Sequence, residues 1–250
     1  DDFQIKGGLW DGQTLYQLYE KAYTPWEWTK DLKDYANSLG MDLFSSPFDV
    51  TAVDYLEKLN MPVYKIASCE ITDHILIKRI AQTKKPVIIS SGNASVQELE
   101  DAIRLLRENG CKEICMLKCT AAYPAKKEDA NLLTINDMIK RYNVVGGLSD
   151  HTLGIEVPTI SVAMGASVIE KHFTLNRDSG SPDDAFSLTP EEFKKMDETS
   201  KTNSFSWCGP TWSQKHDDSV STGLSWRYCS LEFPCWHGFL SCGFNFCCWK

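Results

Sequence analysis

Two histidines end short apolar runs in the second half of the sequence. His151 closes the run Val144–His151, and His172 lies near the end of the run Ser167–Thr174. If these runs are neighbouring strands of one parallel sheet, both imidazoles face one cavity at the carboxyl ends of the strands. Two imidazoles with open coordination positions suit a Mn²⁺ or Zn²⁺ ion that also takes substrate oxygens. A hydrogen-bonded packing pair is the alternative, and for His74 a surface or capping role is expected.

Lysine and serine side chains end most of the other apolar runs. Lys65, Lys118 and Lys171 all stand at predicted strand ends. The serines at such ends are Ser46, Ser68, Ser90 and Ser149. Together these side chains would form a pocket of cations and small donors, which suits a phosphate or a carboxylate. Any one serine could instead serve a turn, and any one lysine could lie at the surface, so the prediction depends on the coincidence of several.

Six short β-branched or apolar runs recur along residues 41–199, each followed by a polar loop and a helical pattern. The runs are Met41–Phe48, Val63–Ser68, Pro86–Ser91, Glu113–Thr120, Val144–His151 and Ser167–Thr174. Strands that alternate with helical patterns indicate βα units of a parallel sheet. Such strands are covered on both faces, which explains their nearly continuous apolar composition.

Local start and stop residues support the helices between these runs. Ser95 and Glu98 form a capping-box pattern, and Gly110 follows the apolar face of the same helix. Pro190 stands at the first position of a later helix. A further helix is predicted over Glu27–Leu39, with its apolar residues on one side.

The number of βα units decides between two architectures. Eight units close a barrel, and the repeated pattern supplies about six. We predict that residues 1–199 form an α/β domain, a partial (β/α)8 TIM barrel that lacks its first two strands. On counting alone, an open doubly wound sheet is the structural alternative, and the motifs described below favour the barrel.

The composition narrows the classes of partner. The chain has 250 residues and a formal net charge of −8, which disfavours nucleic acid and anionic membrane surfaces as partners. No run of about 18 apolar residues indicates a membrane span, and the first residues do not resemble a signal peptide. The expected location is therefore cytoplasmic.

Residues 200–250 differ from the rest of the chain in composition. Six of the ten cysteines and five of the eight tryptophans lie there, and no helical or strand period is sustained. We predict an irregular tail, either unstructured or out of frame with the preceding sequence. The alternative is a zinc or disulfide site, although no paired C-x2-C spacing supports it. The candidate residues for that site are Cys235, His237, Cys242, Cys247 and Cys248.

Six ordered motifs make the sequence resemble the sialic acid synthase family. They are Ser45-Ser-Pro-Phe-Asp, Tyr64-Lys-Ile-Ala-Ser, Lys118-Cys-Thr-Ala-Ala-Tyr-Pro, Gly147-Leu-Ser-Asp-His-Thr-Leu-Gly, Ile169-Glu-Lys-His-Phe-Thr and Ala185-Phe-Ser-Leu. A further motif, Tyr23-Thr-Pro-Trp-Glu-Trp, resembles most the pseudaminic acid synthase branch of that family. The resemblance covers about residues 3–199.

The resemblance implies a reaction and a role for each matching residue. Members of the family condense phosphoenolpyruvate with an open-chain N-acetylated amino sugar and release phosphate. By this resemblance His151 and His172 hold a divalent metal, with Mn²⁺ expected first and Mg²⁺ or Co²⁺ as alternatives, and the metal polarises the sugar aldehyde. Glu70 would handle a proton. The implied phosphoenolpyruvate contacts are Lys65, Ser46, Ser68, Ser90 and Ser149, and the implied sugar contacts are Tyr123 and Asp183.

Three departures from the family pattern lower the activity expected of this chain. Members of the family have two further strands before Met41, with an acidic sugar contact and a phosphate-binding lysine. Ala121 stands where some members have asparagine. The antifreeze-like C-terminal domain, which supplies an arginine to the partner subunit in these homodimers, is not matched. We therefore expect the chain alone to expose two strand edges and to be poorly soluble or inactive.

Two other functions remain open at the level of sequence. A different metal-dependent barrel aldolase would use the same histidine pair but would release pyruvate or an aldehyde instead of phosphate. A non-catalytic remnant would retain only an anion site. Within the family, precursors of pseudaminate, legionaminate and N-acetylneuraminate are all possible sugars.

Overall fold

Six parallel strands form the sheet that carries the predicted site. The computed structural model describes residues 4–7, 10–202, 226–231 and 245–249. Strands β1–β6 are Asp42–Ser46, Tyr64–Ile66, Val87–Ser90, Ile114–Cys119, Val145–Asp150 and Val168–His172. Each strand lies inside one of the six predicted runs and is one or two residues shorter at each end, so the predicted partial barrel is confirmed.

Helices alternate with these strands along the chain. The α-helices are α1 Leu15–Ala22, α2 Trp28–Ser38, α3 Val50–Lys58, α4 His74–Gln82, α5 Val96–Glu108, α6 Thr134–Tyr142, α7 Glu156–Ala163 and α8 Pro190–Thr202. The predicted capping box at α5 is present, because Ser95 accepts from the Glu98 amide and Glu98 accepts from the Ser95 amide. Helix α8 begins at Pro190, as predicted. No helix among the described residues has the length and apolar composition needed to cross a membrane.

Two strands from the C-terminal segment pair with the edges of the six-stranded sheet. Strand β7 (Trp226–Leu231) runs parallel to β6, and β8 (Asn245–Trp249) runs antiparallel to both β7 and β1. The ring is thereby closed, with one strand opposite in direction to the other seven. The expectation of two exposed strand edges is therefore wrong, because both edges are paired.

The remainder of the C-terminal segment stays a prediction. Residues 203–225, 232–244 and 250 lie outside the described residues, and with them three candidate ligands of the alternative zinc or disulfide site, Cys235, His237 and Cys242. Cys247 and Cys248 lie on β8. The predicted domain boundary after residue 199 is likewise untested.

Alternate residues of each strand face two different layers of side chains. On β4, Ile114 and Met116 pack in the core between the sheet and the helices, whereas Cys115 and Leu117 lie in a second cluster inside the barrel. On β6, Ile169 packs with residues of α8 on the helix side. This alternation decides which charged side chains can reach the interior.

Helix α2 contributes little to the core. Its apolar pattern is one-sided, as predicted, and Ala36 is buried. Leu32, Tyr35 and the following Leu39 remain exposed. The predicted apolar face is thus present, but most of it is not covered in the described structure.

Candidate active site

The two histidines lie side by side at the ends of neighbouring strands. Strands β5 and β6 are paired in parallel, so His151, which follows β5, lies beside His172, which ends β6. Their ring centroids are 5.2 Å apart, the ring planes are inclined at 62°, and both side chains are buried. The structure therefore brings together the two imidazoles that the sequence predicted to share a cavity.

Hydrogen bonding orients the His151 ring. Its Nδ1 lies 2.9 Å from the carbonyl oxygen of Thr120. Because a carbonyl oxygen only accepts, Nδ1 must carry the proton, and in the neutral ring the lone pair is on Nε2. A backbone carbonyl is one of the acceptors that orient a metal-binding histidine through its second nitrogen.

His172 faces a buried carboxylate from the loop that follows β6. Its Nδ1 lies 3.4 Å from Oδ2 of Asp183, which is 5% exposed. Within the described residues, three buried atoms here have no hydrogen-bond partner. They are the two ring nitrogens of His172 and Oδ1 of Asp183. Buried polar atoms are nearly always satisfied. These atoms are therefore suited to bind a group from outside the chain.

The donors at the strand ends fit a divalent ion with open positions. Among the described residues, no group of three or more His, Cys, Asp or Glu side chains is arranged to hold a metal ion. The pair of imidazoles would supply two nitrogen ligands, and within the described part of the chain the ring nitrogens of His172 make no hydrogen bond. Water and substrate oxygens would fill the other positions of an ion such as Mn²⁺, which accepts imidazole and oxygen ligands together.

An aromatic wall stands beside the histidines. The Tyr123 ring lies 4.3 Å from the His151 ring, 6.0 Å from the His172 ring and 5.7 Å from the Phe186 ring, between centroids. Trp10 packs 6.4 Å from Tyr123 and donates its indole N–H to the carbonyl of Pro182 at 3.2 Å. Sequence reasoning did not find Trp10, because it reaches the wall from a distant part of the chain. Phe186 lies in the motif Ala185-Phe-Ser-Leu, but no role was predicted for it.

A buried ion pair inside the barrel forms the floor of the candidate site. The Lys65 ammonium group contacts Oε2 of Glu170, and the exposed fractions of the two side chains are 0% and 2%. The Ser149 hydroxyl donates to Oε1 of the same carboxylate at 2.5 Å. Two predicted anion contacts are thus joined by Glu170, a residue that sequence reasoning missed. Its position two residues before His172, on the same strand face, was the available signal.

The remaining predicted serines also lie near the carboxyl ends of the strands. Within the described structure, the buried hydroxyl oxygens of Ser46 and Ser90 have no hydrogen-bond partner. The Ser68 hydroxyl accepts from the Gly92 amide at 3.0 Å. A Cβ at Gly92 would lie 2.8 Å from Ser68 Oγ, so a side chain there would have to displace this hydroxyl. Glu70 ends the short 3-10 helix after β2 and is half-buried.

Two predicted anion contacts, Lys118 and Lys171, lie on the helix side of the sheet. Lys171 stands between Glu170 and His172, so its side chain points to the opposite face, where it pairs with Asp150 at 2.6 Å. Lys118 shares its strand face with Met116 of the helix-side core and donates to Thr120 Oγ1 at 2.5 Å. Burial lowers the pKa of Lys118. The predicted convergence of three lysines is therefore wrong, and Lys65 alone of the three is inside.

Hydrogen bonds to Asp184 shape the loop that carries Asp183. Its carboxylate accepts from the Thr174 hydroxyl at 2.8 Å, the Ser179 hydroxyl at 2.7 Å and the Ser181 amide at 3.0 Å. Burial works to raise the pKa of Asp184, but these hydrogen bonds outweigh burial and hold that pKa below its ordinary value. The loop is therefore anchored by a charged group next to the site.

The structure defines an α/β barrel with polar side chains at the carboxyl ends of its parallel strands. A family model described as the NeuB family matches residues 1–206, and the chain belongs to that family. Over 201 residues the chain is 50% identical to the pseudaminic acid synthase of Helicobacter pylori, covering 80% of this chain. The chain is also 44% identical to the pseudaminic acid synthase of Campylobacter jejuni, and this alignment covers 78% of the present chain.

A solved structure shares both fold and sequence with the chain. It is the N-acetylneuraminic acid synthetase of Leptospira borgpetersenii in complex with citrate, with a TM-score of 0.69 and 31% identity. The alignment covers 76% of this chain and 68% of that one. The chain spans less than three-fifths of the length of the two pseudaminic acid synthases, 59% and 57%.

Proposed function

We propose that this chain carries most of the site for a metal-dependent condensation of phosphoenolpyruvate with an open-chain N-acetylated amino sugar, which yields a nonulosonic acid and phosphate. The observation that carries the proposal is the convergence of His151 and His172, 5.2 Å apart, beside buried hydroxyl and carboxylate groups. The family membership and the two pseudaminic acid synthase relatives support the same reaction.

The phosphoenolpyruvate subsite is proposed at the Lys65–Glu170 ion pair and the serine hydroxyls near it. Lys65 supplies a fixed positive charge, and the Ser46 and Ser90 hydroxyls are donors that lack protein partners in the described structure. Ser68 adds a further hydroxyl. The Ser149 hydroxyl donates to Glu170, so it can donate to the substrate only after leaving that carboxylate. Charge-assisted hydrogen bonds from such groups suit the carboxylate and phosphate of this substrate. Glu170 balances the charge of Lys65.

The sugar subsite is proposed above the histidine pair. Tyr123 offers an aromatic face, and the buried Asp183 carboxylate can accept hydroxyl or amide hydrogens of the substrate. His151 and His172 would hold the metal ion, which, when bound, acts as a Lewis acid on the sugar aldehyde. The two subsites meet at the strand ends, so the reactants are held next to each other, which lowers the entropic part of the barrier.

The proposed reaction forms one carbon–carbon bond and breaks the C2–O bond of phosphoenolpyruvate. The C3 carbon of phosphoenolpyruvate attacks the aldehyde carbon, and the aldehyde oxygen takes up a proton. Water adds to the cationic C2 centre and loses a proton. The C2 hydroxyl then becomes the ketone as the C2–O bond to phosphate breaks, and its proton passes to the departing inorganic phosphate. Glu70 is proposed to move one of these protons, because it is the half-buried carboxylate that follows Ser68.

A phosphate-release assay tests the proposal. The purified chain is given phosphoenolpyruvate, Mn²⁺ and an N-acetylated amino sugar, and both phosphate and pyruvate are measured. Sugar-dependent release of phosphate without pyruvate, lost in His151→Ala and retained in the exposed-residue control His74→Ala, is the expected result. Sugar-dependent release of pyruvate would instead support the aldolase alternative, and no turnover at any substrate level would support the anion-binding remnant.

The finer assignments belong to the same proposal. The similarity to two pseudaminic acid synthases makes a pseudaminate precursor the proposed sugar, and Mn²⁺ the proposed ion. A cytoplasmic location is proposed because phosphoenolpyruvate is a metabolite of that compartment. Because the chain spans only part of its relatives, low activity of the isolated chain is also proposed.

A further inference from the structure

A second buried ion pair lies directly behind the two histidines. Asp150 and Lys171 are paired in register on β5 and β6 and meet at 2.6 Å on the helix side of the sheet. Their exposed fractions are 2% and 0%. Each of them immediately precedes a histidine, and the side chains of consecutive strand residues point to opposite faces. The ion pair and the imidazole pair thus lie on opposite faces of the sheet at the ends of the same two strands.

Thr152 extends this ion pair to the far side of His151. The Lys171 ammonium group donates to the carbonyl of Thr152 as well as to Asp150. The Asp150 carboxylate accepts from the Thr152 amide at 3.2 Å and from its hydroxyl at 3.1 Å. The backbone before and after His151 is therefore tied to the strand that carries His172.

Stability alone does not account for this arrangement. A buried ion pair can often be replaced by apolar residues of similar volume without loss of stability. In some proteins such a pair is retained because it fixes one relative position of the groups that it joins. We infer that Asp150 and Lys171 are positioning residues that set the separation and orientation of His151 and His172. The inference rests on the proposed function, in which these imidazoles hold a metal ion.

The test is the double variant Asp150→Asn/Lys171→Met in the full 250-residue chain. It removes both charges and leaves an acceptor for the Thr152 amide. The controls are Lys171→Arg, which keeps the pair, and Asp54→Asn/Arg79→Met, which removes an ion pair of 2.6 Å between α3 and α4. Circular dichroism and urea unfolding report whether each variant folds.

Two readouts are compared. Long-range 15N–1H NMR of the metal-free chain reports the His151 tautomer, and Mn²⁺ binding is followed by electron paramagnetic resonance of the free ion. In the double variant we expect a mixture of His151 tautomers and a loss of about 10–100-fold in Mn²⁺ affinity, as for other groups that orient metal ligands. Both controls should keep one tautomer and the parental affinity.

Each result decides the inference. A folded double variant with an unchanged His151 tautomer and Mn²⁺ affinity overturns it. If the double variant does not fold, Thr152→Val, which removes one hydroxyl contact, must shift both readouts in the same direction by less, and no shift overturns the inference. If the parental chain binds no Mn²⁺ through its histidines, the proposed function fails, while the tautomer comparison still decides the positioning role.

Discussion

Lys65 and Glu170 form an ion pair inside the barrel, although 105 residues separate them along the chain. The pair joins β2 to β6, which lie on opposite parts of the ring. Ser149, on the neighbouring β5, donates to the same carboxylate. This contact connects three strands at the floor of the proposed anion subsite, and its loss should affect both stability and substrate binding.

Removing the carboxylate should be costly. Glu170→Gln leaves the Lys65 ammonium group buried without its counter-charge, and we expect a loss of about 3–5 kcal/mol in the free energy of unfolding. Urea denaturation measures this loss. The matched control is Arg104→Gln, which breaks an exposed pair with Asp101 at 2.7 Å and should leave the free energy of unfolding nearly unchanged, because solvent screens exposed pairs. Equal losses in the two variants would contradict the described interior.

Packing of β5 against its neighbours should not tolerate a methyl group at Gly147. A Cβ at that position would lie 2.5 Å from both the Leu117 side chain and the Val168 carbonyl oxygen. Gly147→Ala should therefore lower the free energy of unfolding by about 1–3 kcal/mol or more, because the backbone of β6 must move. The exposed Ser167→Ala is the control, with a change within about 0.5 kcal/mol. A neutral Gly147→Ala would show that β5 and β6 are further apart.

The loop that carries Asp183 should lose stability in acid through Asp184. Its pKa is lowered in the folded chain, so the stabilisation is fully present above the ordinary value of about 4 and is lost as the pH falls through the lowered value. Asp184→Asn should cost about 1.5–3 kcal/mol at neutral pH, and this difference from the parental chain should shrink in acid. Thermal unfolding as a function of pH measures it. A difference independent of pH would contradict the assigned hydrogen bonds.

The thiol of Cys115, inside the barrel, should react slowly with alkylating reagents in the folded chain. Burial raises the pKa of Cys115 to about 12, whereas Cys69 is half-buried after β2. At pH 8 we expect iodoacetamide to modify Cys115 at least about tenfold more slowly than Cys69, because the thiolate is the reactive form. Peptide mass spectrometry resolves the two sites, and urea should remove the difference. Similar rates without urea would mean that the barrel interior is open to reagent.

Features with a local cause were predictable from the sequence. Strands β1–β6 were found from their apolar runs, because strands covered on both faces need continuous apolar side chains. Strands β7 and β8 were not predicted. Helix α5 was found with its start, because the capping residues Ser95 and Glu98 are three positions apart. The proximity of the two histidines was also predictable, because the carboxyl ends of adjacent parallel strands meet at one edge of the sheet.

Contacts between distant segments were not predictable in the same way. Neither the pairing of Lys65 with Glu170 nor the packing of Trp10 on Tyr123 leaves a pattern in the local sequence. The misplacement of Lys171 has a different cause. It is adjacent to His172 in one strand, so the two-residue alternation already required the two side chains to face opposite sides. The prediction of a pocket with three lysines used the position of each lysine along its strand. It neglected the face of the sheet to which each side chain points.

The central claim is that the imidazoles of His151 and His172 form one metal site. Crystals of the chain soaked in Mn²⁺ and measured at the manganese absorption edge test it most directly. The account predicts a single anomalous peak within bonding distance of one ring nitrogen of each histidine, which disappears in His172→Ala. A peak bonded to only one of the two rings, or no peak at the strand ends while the parental fold is intact, would contradict it.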